Sequence, residues 1–320
     1  MMRKLISFVF PVYNETETLS RLYVEMAKVW RKLEKDYLVE VLFVNDGSED
    51  GSLEKLINMQ AKDDRLKVIN FSRNFGHQMA ITAGLDMAVG DAVIIMDSDL
   101  QDPPDVCFKL IDKWEAGYKV VYAQRKTRKD TPFKKITANV FYKALNRLAS
   151  ISIPRDTGDF RLLDRDVVLE VRKFREKNRF MRGLVSYVGF KQTGVLFDRS
   201  ERYAGITKYP LKKMLRFAAD GILSFSTVPL NIISQIGFFV SVVSFLGIVY
   251  AFVMKFFFPH ITVSGWTLMI TAILFIGGVQ MLMLGVLGSY VGRIYTEVQQ
   301  RPLYIISSVY SKPSKEKKNR

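Results

Sequence analysis

The sequence predicts an α/β protein: a mainly parallel, Rossmann-like sheet followed by a hairpin of two transmembrane helices. Three observations carry this. Short apolar runs alternate with helix-spaced segments through the first third of the chain. Two nearly charge-free stretches near the C-terminus are long enough to cross a bilayer. The basic residues gather just ahead of those stretches. The 320 residues hold 47 Lys and Arg against 32 Asp and Glu, a net charge of +15. That length suits one large or two ordinary domains. A hydrophobic share of 48% beside 25% charged residues excludes intrinsic disorder. The single cysteine excludes a disulfide framework and a cysteine-based zinc cluster, and suits a reducing compartment.

The elements follow in order. Leu5–Phe10 reads as a buried strand ending at Pro11, and Leu19–Leu33 has helical spacing. Val39–Val44 is a second strand, Leu53–Ala61 a helix, Leu66–Phe71 a third strand and Met79–Ala88 a helix. Ala92–Met96 is a fourth strand, a helix starts after Asp102-Pro103-Pro104, and Lys119–Ala123 is a further strand. Such alternation implies a mainly parallel sheet with helices on both faces. Ligands of these sheets bind at the carboxyl ends of the strands.

The strand-end residues are therefore the candidates for chemistry. Pro11-Val12-Tyr13-Asn14-Glu15 follows the first strand, Asn45-Asp46-Gly47-Ser48 the second, and Asp97-Ser98-Asp99-Leu100-Gln101-Asp102 the fourth. There is no G-x-G-x-x-G after the first strand and no G-x-x-x-x-G-K-[ST] anywhere, which removes support for a dinucleotide oxidoreductase or a P-loop phosphotransferase. Asp97 and Asp99, one residue apart at a strand end, can share a hard divalent cation, with Gln101 offering an amide oxygen. Mg²⁺ or Mn²⁺ held by one or two carboxylates and completed by substrate phosphates is the usual arrangement. His77 and Cys107 read as structural and packing residues.

No charged residue lies between Gly221 and Met254, and only His260 could carry charge between Phe256 and Gly292. Spans at about 232–254 and 266–291 each exceed the roughly 20 helical residues a bilayer needs. They are joined by Lys255-Phe256-Phe257-Phe258-Pro259-His260, which breaks the helix at proline. Basic flanks on both outer sides, against Lys255 alone in the loop, put both termini in the cytoplasm. Met1–Pro11 is too short for a secretory signal peptide. Gly288-x-x-x-Gly292 and Gly285-x-x-x-Ser289 permit close helix packing, within the chain or between copies of a homo-oligomer.

The surplus charge is uneven. Residues 1–124 are net −5, residues 125–216 net +15 and residues 217–320 net +5. An apolar stripe over 208–226 against Lys212, Lys213 and Arg216 predicts an amphipathic juxtamembrane helix. Cations such as Lys126, Arg128, Lys129, Lys134 and Lys135 read as a solvated face toward anionic headgroups, at about 1 kcal/mol each. Anionic lipid headgroups, not nucleic acid, are then the expected partner of this belt. The rival reading, a non-catalytic scaffold for anionic lipid or nucleic acid, leaves the acidic strand ends without a purpose.

At this point Phe10-Pro11-Val12-Tyr13-Asn14-Glu15, Val44-Asn45-Asp46-Gly47-Ser48, Ser72-Arg73-Asn74-Phe75-Gly76 and Met96–Pro104 together resemble a family 2 glycosyltransferase of the A fold. The branch they resemble is the polyprenyl-phosphate glycosyltransferases, which includes bactoprenol glucosyltransferases and dolichol-phosphate mannosyltransferase. The QxxRW signature of processive synthases is absent. The resemblance implies a cytoplasmic glycosyltransferase domain over 1–207, a juxtamembrane helix over 208–228, the hairpin over 229–293 and a basic tail over 294–320. It implies inverting transfer of a sugar from a nucleotide-diphosphate sugar to a polyprenyl phosphate. UDP-glucose is the leading donor and GDP-mannose the alternative. Pro11, Tyr13, Glu15 and Asp46 would line the nucleoside. Asp97, Asp99 and Gln101 would hold the metal on the diphosphate, with Asp99 counted as catalytic. Asp156 and Asp159 flank a Thr157-Gly158 turn, and the resemblance puts the acceptor-side catalytic aspartate at Asp159. Glu201–Tyr209 resembles the family's R-x-x-G-x-[ST]-K-[YW] motif, so Arg202 and Lys208, with Arg125, are expected on the donor diphosphate or the lipid phosphate.

Overall fold

In the computed structural model, which describes residues 3–126, 157–198, 228–257 and 265–312, the apolar runs become eight strands of one sheet. The first half is β1 (Leu5–Val12), α1 (Thr16–Leu33), β2 (Leu38–Asn45), α2 (Ser52–Gln60), β3 (Leu66–Phe71), α3 (His77–Met87) and β4 (Ala92–Ile95). Then come α4 (Val106–Glu115), β5 (Val120–Arg125), β6 (Thr157–Asp164), α5 (Arg165–Lys173), α6 (Met181–Tyr187) and β7 (Gln192–Phe197). Two long helices, α7 (Val228–Phe257) and α8 (Trp266–Val298), precede a last strand, β8 (Ile306–Tyr310).

The sheet order is β7-β5-β6-β4-β1-β2-β3-β8. β1 pairs in parallel with β2 and β4, β2 with β3, and β5 with β7. The pairs β4/β6, β5/β6 and β3/β8 are antiparallel. The mainly parallel α/β architecture thus stands, with β6 reversed inside it.

β1 shows how the sequence builds the core. Ile6, Phe8, Phe10 and Val12 point to one face, where Trp30 of α1 and Phe43 of β2 meet them, while Val9 joins Ile95 and Ala80 on the other. Phe10 and Phe43 stack at 5.1 Å, and Trp30 sets its ring edgewise to Phe8 and Phe10. Side chains buried this completely contribute about 1.5–3 kcal/mol each. β1 runs on through Pro11 instead of ending there. Its pairing with β4 stops at Val9 opposite Ile95, so at Pro11 that flank is open and a missing N–H is tolerated.

Four further segments differ from the sequence reading. Thr157-Gly158 opens β6, so Asp159 is a strand residue and caps no turn. α7 continues through Lys255 to Phe257, and α8 extends past Arg293 to Val298. In the stretch read as a basic tail, residues 306–310 form β8 and close the edge of β3. A five-residue strand whose partner lies some 238 positions away leaves no local signal. The expected juxtamembrane helix lies outside the described residues, except for Val228.

The chain divides into two units. The sheet unit takes in the residues up to 198 and those from Arg301 onward; the other contains α7 and α8. Both of these helices are long and apolar enough to cross a membrane, over Val228–Gly247 and Phe275–Val298, with none of that surface buried within the chain. Phe238, Phe239, Phe245, Leu282 and Leu287 are among the exposed apolar side chains. Exposed apolar surface on this scale marks a lipid or protein contact.

β8 is anchored by Tyr304 just before it. The Tyr304 ring stacks on Phe71 at 5.2 Å, its hydroxyl donates to Asp86 at 2.7 Å, and Ser72 N–H donates to the Ile305 carbonyl. Tyr304→Ala is expected to lower stability by about 2 kcal/mol, the worth of the stack plus the hydrogen bond, and to speed amide exchange in β3. Unchanged melting and exchange would show that β8 is held without it.

Candidate active site

The carboxyl ends of β1, β2, β3 and β4 open on one edge of the sheet, and the reversed β6 begins there. β4 and β6 pair Ile95 with Arg161, and the same register carried two residues further sets Asp159 across from Asp97. Chain reversal therefore brings together two carboxylates that lie far apart in sequence.

Each turn at this edge is tied to its neighbour. After β1, Asn14 adopts a left-handed φ of 53°. Its N–H donates to Ser48 Oγ, and its side-chain oxygen accepts from Glu49 N–H. Glu15 N–H donates to Ser52 Oγ, and Ser98 Oγ donates to the Pro11 carbonyl. Pro11 is buried and Tyr13 exposed. After β2, Asp46 is only 2% exposed, and its two oxygens accept the N–H groups of Phe75 at 2.7 Å and Gly76 at 2.9 Å. Burial pushes the Asp46 carboxyl up, against the pull of those two bonds. A Cβ on Gly47 would lie 2.4 Å from the Arg73 backbone carbon, so the β2 and β3 turns touch backbone to backbone. Asp46 and Gly47 thereby fix the loop that leads into α3.

That loop delivers His77, which reading the sequence assigned no part in the site. His77 Nε2 lies 3.2 Å from Asp159 Oδ2 and 3.5 Å from Asp97 Oδ1. Gln78 Nε2 also donates to Asp159 Oδ2, at 3.3 Å, while its Oε1 accepts the N–H of Met181. Arg182 Nε donates to Asp159 Oδ1 at 2.9 Å. Arg161, on β6, is 4% exposed and donates to the Gly158 carbonyl at 2.8 Å. The titration of these groups follows their contacts. Burial works to raise the Asp159 carboxyl, but the charge of Arg182 and the His77 hydrogen bond outweigh it and hold it well below the usual range. Burial works to lower His77, yet the Asp159 hydrogen bond and the Asp97 charge push it up to about 9. Burial pushes the Asp97 carboxyl up.

Asp97 and Asp99 stand at the end of β4. Asp99 Oδ1 accepts the N–H of Gln101 at 3.1 Å across Leu100, whose φ is 57°. Strained non-glycine turns of this kind gather at functional sites. No group of three or more His, Cys, Asp or Glu able to hold a metal occurs among the described residues. The pair fits an ion shared with substrate phosphates instead, as Mg²⁺ and Mn²⁺ prefer. Asp97 Oδ1 is buried without a hydrogen bond among the described residues, which leaves it an acceptor for such an ion. Gln101 is buried beside them.

Arg125 ends β5, with its guanidinium beside Gly158 at the start of β6. Arg202, Lys208, Asp156, Arg128, Lys129, Lys134 and Lys135 lie outside the described residues. The missed members of the site, His77, Gln78, Arg161 and Arg182, carry one usable signal: His77 directly follows the Ser72–Gly76 run at the end of a strand.

The paired carboxylates, and the buried cation–carboxylate cluster across from them, stand at the carboxyl ends of the strands, where open α/β sheets bind their ligands. The chain belongs to glycosyl transferase family 2, whose model matches residues 7–172, and is a glycosyltransferase. It is 50% identical over 305 residues to an uncharacterised glycosyltransferase of Bacillus subtilis, covering 95% of this chain and 94% of that one. It is 45% identical over 307 residues to the bactoprenol glucosyl transferase of Shigella phage SfX, covering 95% and 99%. Among solved structures, glucosyl-3-phosphoglycerate synthase of Mycobacterium tuberculosis with uridine diphosphate is 18% identical, with a TM-score of 0.47 over 69% of this chain and 78% of that one.

Asp46→Ala would strand two amide donors and release the loop that carries His77. A stability loss of about 2–3 kcal/mol is expected from hydrogen bonds to a charged group, measured by denaturant titration; an unchanged midpoint would remove Asp46 from this structural role.

Proposed function

We propose that this glycosyltransferase moves a sugar, with inversion, from a nucleotide-diphosphate sugar to a polyprenyl phosphate at the cytoplasmic face of a membrane. The donor favoured is UDP-glucose. The observation that carries the reading is the facing pair of half-sites: Asp97 and Asp99 at the end of β4, and Asp159 across from them on β6. Similarity over nearly the whole chain to bactoprenol glucosyl transferases supports the lipid acceptor and the sugar. GDP-mannose is the second donor to test, from the likeness to the mannosyl branch.

In this reading Pro11, Tyr13 and Glu15 line the nucleoside, and Asp46 acts through the loop it fixes. Asp97, Asp99 and Gln101 hold Mg²⁺ or Mn²⁺, which when bound supplies Lewis-acid stabilisation of the departing nucleoside diphosphate. Arg125, Arg202 and Lys208 grip phosphate. α7 and α8 form the membrane hairpin, residues 208–228 lie at the interface, and both chain ends face the cytoplasm. The return of residues 306–310 to the sheet supports an even number of crossings.

The test is a membrane preparation given labelled nucleotide sugar, undecaprenyl phosphate and Mg²⁺ or Mn²⁺. A labelled glycolipid is expected that disappears in Asp99→Ala and on chelation, and returns when metal is added back. A wild-type protein that yields no glycolipid from any donor would sink the reading. Product that persists undiminished in Asp99→Ala would remove the carboxylate pair from it.

A further inference from the structure

We propose that Arg182 binds the phosphate of the acceptor, and that Asp159 serves the reaction as a positioning residue that orients Arg182. This rests on the reading above of the acceptor as a phosphate ester.

The geometry around Asp159 carries the argument. Its carboxylate is 6% exposed and both oxygens are engaged. Oδ1 accepts from Arg182 Nε at 2.9 Å, and Oδ2 from His77 and Gln78 at 3.2 and 3.3 Å. A general base works best with its pKa near the operating pH. A carboxylate with both oxygens already taken by donors has little capacity to accept a proton. Nor does the reaction need one taken. A phosphate monoester has a second pKa near about 6, so the acceptor arrives largely as the dianion. One of its oxygens gives a lone pair to the anomeric carbon. The bond from that carbon to the nucleoside diphosphate breaks, and the electron pair leaves with the diphosphate. No proton is left over.

What the reaction does need is positive charge, because a dianion must approach Asp97 and Asp159 together. Arg182 is placed to supply it. It sits in the first turn of α6, whose leading N–H at Met181 is held by Gln78 Oε1 at 3.0 Å. Its side chain is 21% exposed, so a guanidinium fixed through Nε still reaches the accessible edge of the site. Arg161 lies beside it, with Nε buried and without a hydrogen-bond partner among the described residues. Burial pulls Arg161 down to about 10, and the neighbouring Arg182 charge adds to that pull. Two guanidiniums around one carboxylate give this side of the site the charge a phosphate dianion requires, in the form best suited to grip it.

The experiment uses the full chain in lipid nanodiscs, with undecaprenyl phosphate varied at saturating donor and donor varied at saturating acceptor. Arg182→Ala should raise the acceptor KM about ten- to a hundredfold, the range for a lost charged hydrogen bond, with donor KM moved less than about threefold. Asp159→Asn still offers an oxygen to Arg182 Nε, so it should raise acceptor KM while keeping kcat within about tenfold of wild type. The double variant should cost no more than the worse single, within about threefold, because the two act as one unit. Should Asp159→Asn fail to fold, Arg182→Gln and direct binding of a soluble short-chain prenyl phosphate give the same readout, with binding weakened over the same range. An unchanged acceptor KM in Arg182→Ala overturns the proposal. So does an Asp159→Asn enzyme whose kcat falls about a thousandfold or more at unchanged acceptor KM, the mark of lost proton transfer. An active wild type with these outcomes sinks the proposal alone; a wild type inactive with every donor sinks the function reading, and this with it.

Discussion

A buried carboxylate must be neutralised where it lies, and in this protein Asp159 imposes that requirement on four separate elements. It belongs to β6, it is met by His77 and Gln78 from α3, it is met by Arg182 from α6, and it faces Asp97 at the end of β4. Removing one partner of such a cluster costs far more than the cluster contributes intact, since the remaining charge is stranded. The site is therefore held as a unit. The antiparallel insertion of β6 into a sheet otherwise begun as a parallel one creates this meeting. Had β6 run the other way, Asp159 would stand at the opposite edge of the sheet from Asp97.

Asp46 performs the same service one layer back. Among the described residues its carboxylate faces no cation at hydrogen-bond distance; it spends both oxygens on backbone N–H groups and converts a glycine-bearing loop into a fixed mount for His77. Backbone contact at Gly47 makes the mount specific to glycine, because any Cβ there meets the Arg73 main chain. Asp46 and Asp159 thus do different work with the same functional group. One shapes the loop that carries His77, and the other gathers His77 and Arg182 around itself.

The parallel half of the fold was legible in the sequence because its strands are continuous apolar runs buried on both faces, and Leu66–Phe71 was read to the residue. The strand-end logic likewise led to Asp97, Asp99 and Gln101. Less visible was anything decided by tertiary pairing. Thr157-Gly158 has the composition of a turn, but the pairing of Thr157 with Gln124 of β5 makes it strand. His77 looked like an isolated histidine at a helix start, and only the β4–β6 register reveals two carboxylates within 3.5 Å of it. Arg182 sits in a short helix with no motif around it. β8 was hidden because Ile306-Ser307-Ser308-Val309-Tyr310 is short and lacks the strict polar–apolar alternation that marks a strand.

That late strand carries a consequence for biosynthesis. Chains emerge from the ribosome N-terminus first, and domains generally fold in that order. Here the strand that covers β3 is made only after both long apolar helices, with Tyr304 arriving just ahead of it to stack on Phe71. Until then β3 presents a bare row of amides and carbonyls, the kind of edge that recruits other chains. The sheet cannot be completed before the two long apolar helices have been synthesised. Closure of its last edge is thereby timed to the production of those helices.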